Sequence, residues 1–135
     1  MIKLITGKKG TGKTKILIDK INDAVKSTNG NLVCIEKGDN IRRSIIFRVR
    51  WCDTESFAIE GADAFYGFVA GMLAGNYDIK DVFVDGILKI VGRDFDVLGA
   101  LFEKLDKLTG EEATIVFTVS ADDSELPESV KQFIK

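Results

Sequence analysis

Three glycines, three lysines and two threonines stand together in Gly7-Lys8-Lys9-Gly10-Thr11-Gly12-Lys13-Thr14. Their order fills every fixed position of G-x-x-x-x-G-K-[ST], the pattern of a loop that cradles nucleotide phosphates. The glycines allow backbone angles that a side chain would forbid, so successive N–H groups can turn inward around an anion. A helix beginning near Lys13 would add its free amides and the positive end of its dipole. Lys13 would bridge the β- and γ-phosphates of ATP, and the Thr14 hydroxyl would ligate Mg2+. Lys8, Lys9, Thr11 and Lys15 complete the set expected around the phosphates.

Such a loop needs a carboxylate to hold the metal's water shell, placed at the end of an apolar strand. Asp81-Val82-Phe83-Val84-Asp85 offers Asp85 there. The residue after it is Gly86, where many ATPases carry a glutamate that orients the attacking water. The guanine-reading pattern N/T-K-x-D after a strand is also absent, so adenine is expected over guanine. Histidine is missing altogether, which removes His-dependent triads and any His general base. Cys34 and Cys52 sit in apolar runs without C-x-x-C spacing. They read as buried free thiols rather than a disulfide or a metal site.

The elements that must position these residues follow from periodicity. Met1 to Thr6 reads as a buried strand leading into the loop. From Lys13 a helical pattern runs through Ile16, Leu17, Ile21, Ala24 and Val25 to a stop at Asn29-Gly30. Leu32 to Ile35 has strand length. Ser44 to Trp51 alternates in the manner of an edge strand with one wet face. A helix is expected over Gly61 to Ala74, a strand over Val82 to Val84, and an amphipathic helix over Asp94 to Leu108. Thr114 to Val119 should form the last strand, and Pro127 opens a short final helix. Strands alternating with helices predict an α/β fold: one domain over residues 1–135, with a mostly parallel sheet covered on both faces.

Lys plus Arg total 19 and Asp plus Glu total 21. That near balance gives no whole-surface attraction to nucleic acid or to acidic membranes, and no nucleic acid partner is expected. The most apolar stretch, Ala64 to Ala74, is half the length a membrane span needs. No secretory signal precedes the first strand, so a cytoplasmic location is expected.

With the phosphate loop and Asp85 placed, residues 1–90 resemble the RecA-like core of type IV pilus retraction and type II secretion ATPases. The matching features are the phosphate loop, the strand Val33-Cys34-Ile35-Glu36 running into an acidic turn at Asp39, and the stretch Asp53-Thr54-Glu55-Ser56-Phe57. The resemblance implies a reduced RecA-like P-loop NTPase fold. It also implies Glu36 as the carboxylate that polarises an attacking water, with Asp53 and Glu55 as alternatives. Thr118 or Ser120 would be the polar sensor beside the γ-phosphate. The family's histidine-containing segment has no counterpart here, and motor function is not carried over.

Two further features invite explanation. Arg42, Arg43, Arg48 and Arg50 cluster in and before the Ser44–Trp51 run. They read as a solvated strand face, as a docking surface for an acidic partner, or as arginine fingers reaching a neighbour's γ-phosphate. Arg93 is the other finger candidate. Gly67, Gly71 and Gly75 recur every four residues along one helix. Each costs about 1 kcal/mol relative to alanine, which predicts close packing on the sheet, or else against a second helix in a dimer. The sequence therefore points to an ATP-binding P-loop protein with weak or partner-dependent Mg-ATPase activity. A non-hydrolysing nucleotide sensor is the alternative and a small-molecule kinase the third reading, with a protein partner or a homo-oligomer compatible with the first two.

Overall fold

The apolar runs divide by parity between the two faces of a single sheet. Described by a computed structural model over residues 1–134, the chain forms β1 (Ile2–Gly7), α1 (Lys13–Ser27), β2 (Asn31–Glu36), β3 (Arg50–Asp53), α2 (Ala62–Gly75), β4 (Ile79–Asp85), α3 (Ile87–Val91), α4 (Phe95–Thr109), β5 (Thr114–Ser120) and α5 (Glu128–Lys131). All five strands are parallel, in the order β1-β5-β4-β2-β3. Leu32, Cys34, Phe83 and Val116 point to one face, where they meet Leu17 and Ile21 of α1. Val33, Ile35, Val82, Val84, Ile115 and Phe117 point to the other, against Phe65 of α2 and Leu98, Phe102 and Leu105 of α4. The same alternation puts Asp85, Thr118 and Ser120 on the α1 face at the carboxyl ends of their strands. This is the edge of a parallel sheet where α/β proteins place their sites.

Most expected elements are present within a residue or two. Asp94 caps α4 by accepting from the backbone N–H groups of Asp96 and Val97, and Pro127 stands at the start of α5. Both cysteines are buried and free.

Two expectations are corrected. The strand foreseen over Ser44–Trp51 starts only at Arg50, where its ladder to Val33 begins. Before it come a 3-10 turn at Arg42–Ser44 and a loop. Arg48 explains the departure: its guanidinium donates to the carbonyls of Val25, Thr28 and Gly30 at 2.9, 2.9 and 3.0 Å. It thereby pins the loop across the negative end of α1, and alternation of residue types could not register that tie. The three glycines of α2 are not tightly packed, since a Cβ at Gly67, Gly71 or Gly75 would meet nothing within 4 Å. The close approach falls at Gly99 instead, where a Cβ would lie 2.4 Å from Ser129 Oγ and 2.8 Å from its Cβ. The helix α3 was not expected, since five residues carry no readable period.

Candidate functional site

The loop between β1 and α1 takes a shape that only its glycines permit. A Cβ on Gly7 would lie 2.6 Å from Thr11 Oγ1. Gly12 adopts φ 88° as it enters α1, a left-handed conformation that is strained for other residues. The Lys8 carbonyl ties the loop together, accepting from Thr11 N at 3.3 Å, Thr11 Oγ1 at 2.7 Å and Lys13 Nζ at 2.8 Å. No side chain caps α1, so its first amides have no partner within the helix and face the loop's interior as donors.

Lys13 is buried. Loss of solvent lowers its pKa below the ordinary lysine value of 10.5, and the negative charge of Asp85 opposes that shift. Asp85 in turn is gripped by hydroxyls from two elements. Thr14 Oγ1 lies 3.2 and 3.4 Å from its two carboxylate oxygens. The Thr118 hydroxyl donates to Asp85 Oδ1 at 2.8 Å and accepts from Gly86 N at 2.7 Å. A cavity of about 580 Å³ opens over this group, lined by Lys9, Gly10, Gly12, Lys13, Thr14, Asp85, Thr118 and Ser120. Leu88, Lys89 and Arg93 line its far side.

These residues suit a polyphosphate with its divalent cation. The amides at the start of α1 and a buried ammonium would hold the anion, and a hydroxyl beside a carboxylate would hold the cation's inner and outer shells. No cluster of three or more His, Cys, Asp or Glu among the described residues could hold a metal alone. A cation here would therefore depend on phosphate oxygens for much of its coordination.

The remaining expected residues lie elsewhere or act indirectly. Gly7, Lys8 and Thr11 shape the loop without lining the cavity. Lys15 is exposed and pairs with Asp19 at 3.7 Å on the surface of α1. Glu36, next to Asp85 in the strand register, is buried, with its carboxylate committed to other groups. Oε1 accepts from Asn40 N at 2.9 Å, and Oε2 accepts from Ile41 N at 3.1 Å and from Trp51 Nε1 at 2.8 Å. It does not line the cavity and instead anchors the loop after β2. Asp53 accepts from the backbone N–H groups of Gly38 and Glu55 and from the Ser56 hydroxyl. Those bonds hold its carboxyl below the usual range, and Glu55 is exposed. Arg93, by contrast, reaches the cavity within its own chain. Its guanidinium donates to the Ser120 carbonyl at 3.2 Å and lies 4.0 Å from Glu125. Sequence reading passed over Lys89. Its spacing four residues before Arg93, in the short helix α3 just beyond Asp85, was the only available sign.

The fold is the RecA-like class of α/β protein, in reduced form. No protein-family profile matches the chain, and no curated protein matches it by sequence. Among solved structures, it is similar to the crystal structure of the flagellar accessory protein FlaH from Methanocaldococcus jannaschii, with a TM-score of 0.62 and 17% sequence identity. The match covers 97% of this chain and 65% of FlaH, so the chain spans about two thirds of that protein's length. At that identity the likeness defines the fold. It bears out the RecA-like core and does not extend to a kinship with pilus or secretion ATPases. No helix among the described residues is long and apolar enough to cross a membrane.

Proposed function

We propose that this chain binds ATP with Mg2+ in the cavity above Lys13 and turns it over slowly or when a partner completes the site. The observation that carries this reading is the convergence on one cavity of Lys13 and Thr14, at the start of α1, and Asp85, at the end of β4. The amides at the start of α1 and Lys13 would hold the β- and γ-phosphates, while Thr14 and Asp85 would hold Mg2+. Bound there, the cation would offset phosphate charge and polarise the terminal phosphoryl group. Thr118 keeps Asp85 oriented by bonding one of its oxygens. Lys89 and Arg93 supply further positive charge on the side of the cavity facing α3.

A second reading, a nucleotide sensor that does not hydrolyse, is favoured by Glu36. With three N–H donors on its carboxylate and glycine at position 86, no free base stands at the cavity in this conformation. Calorimetry with ATP and GTP in the presence of Mg2+ tests the shared part of both readings. Micromolar binding of ATP that Lys13→Ala abolishes is expected. Equal binding by the variant would sink the proposal. Glu36→Gln then separates the two: it should stop turnover while sparing binding if Glu36 swings to a water, whereas a sensor shows no turnover with either residue and binds ATP equally in both.

A further inference from the structure

At the end of the sheet remote from β1, α2 presents a face that water should not leave bare. After Asp63 the helix carries no charged residue, yet Ala64, Gly67, Gly71, Ala74 and Gly75 are exposed. A helix without a polar face is ordinarily covered. Between this face and the edge formed by β2 and β3 lies a groove of about 780 Å³, walled by Phe57, Phe68, Met72, Val33 and Cys52. Phe57 stacks on Phe68 with ring centroids 5.9 Å apart and remains 56% exposed. The groove has an apolar floor, and it is open because the glycines leave room.

Charge rims that floor. Arg48 and Arg50 line the groove and also a second depression on the loop before β3. Arg42 stacks over Trp51 at 4.7 Å, and Arg43 is exposed on the same turn. None of the four makes an ion pair among the described residues, although the chain as a whole carries a net charge of −2. Phe47 projects from the middle of this loop with its side chain fully exposed. Arginines without a carboxylate partner beside an apolar trough suit an occupant that is both acidic and apolar.

We propose that this groove docks an acidic, amphipathic segment of a partner protein. Its apolar side chains lie over Gly67, Gly71 and Gly75, and its carboxylates meet Arg50, while Arg48, held by the carbonyls of Val25, Thr28 and Gly30, adds positive charge to the rim. A concave trough suits inserted side chains better than a flat lipid surface. A second copy meeting the groove with its own arginine loop would set like charges against each other, which disfavours that route. The surface stands apart from the phosphate loop, so the inference does not depend on nucleotide binding.

The test is to pan displayed short peptides against the full chain and measure recovered peptides by anisotropy and by the emission of Trp51, the only tryptophan. Enrichment of Asp and Glu interleaved with Leu, Ile or Phe is expected. Binding should weaken by roughly tenfold or more, about 1.4 kcal/mol, in Gly71→Leu, which fills the trough. The independent variant Arg50→Glu should do the same, and Lys13→Ala should bind peptide as the parent does. Circular dichroism confirms that each variant is folded. Recovered peptides without acidic residues, or peptides held equally by both groove variants, would overturn the proposal. So would phosphatidylserine vesicles that bind the chain where no peptide does, or a dimer in sedimentation that Gly71→Leu dissociates.

Discussion

Lys13 shows how much of the site a single residue can report. Burial lowers its pKa, partly countered by Asp85, and only its protonated form attracts a triphosphate. ATP affinity should therefore be full below that lowered pKa and fall as pH rises through it, before an ordinary lysine at 10.5 would titrate. Calorimetry across the alkaline range checks this; Lys13→Arg, which keeps its charge, should flatten the profile. Folding responds with the opposite sign. Between the lowered value and 10.5 the unfolded chain binds more protons at this site, so its contribution to stability rises with pH. Lys13, Thr14 and Asp85 were legible in the sequence because a local motif and a strand end define them. The role of Glu36 was not. Its carboxylate is claimed by Asn40, Ile41 and Trp51, partners whose arrangement depends on how the intervening loop folds.

At the scale of elements, glycine separates what was legible from what was not. Spacing marked Gly67, Gly71 and Gly75 as unusual, but nothing in it says whether the space beside them is filled. No local pattern marks Gly99 as the glycine in close contact, because its neighbour Ser129 lies 30 positions on, in α5. The two cases predict opposite outcomes. Gly99→Ala should destabilise the fold by about 1–3 kcal/mol, since Ser129 Cβ cannot rotate away from the added methyl. Gly71→Ala, in open space, should stabilise it by about 1 kcal/mol through helix propensity. Urea denaturation midpoints of the two variants measure this, and a shift of the same sign in both would refute the packing described for α2 and α4. The misplaced strand before β3 has a similar cause. Alternating residue types can mark a strand, but they do not show the three carbonyls at the end of α1 that draw Arg48 away.

For the whole molecule, a ligand that binds only the folded chain stabilises it by mass action. At Mg-ATP near one hundred times its dissociation constant this amounts to about 2.7 kcal/mol. For a domain of this size the midpoint of thermal unfolding should rise by roughly 10 °C. Differential scanning fluorimetry reads the shift, and Lys13→Ala should show none. The fold class itself was legible because alternating strands and helices leave few arrangements open. The strand order was not, since no local signal says that β5 slides between β1 and β4. That order bears on the chain's birth. Apart from an isolated bridge between Leu4 and Ile134, the described ladder of β1 is with β5, and Gly7 lies opposite Ser120, 113 positions later in synthesis. At about 5–20 residues per second, β1 is synthesised roughly 6–23 s before its partner exists. Throughout that interval Ile2 and Leu4 have no strand to cover them, and the phosphate loop has no Asp85–Thr118 wall to face. Nascent chains stalled before β5 should therefore hold no nucleotide and should depend on a chaperone to keep their first strand from associating with others.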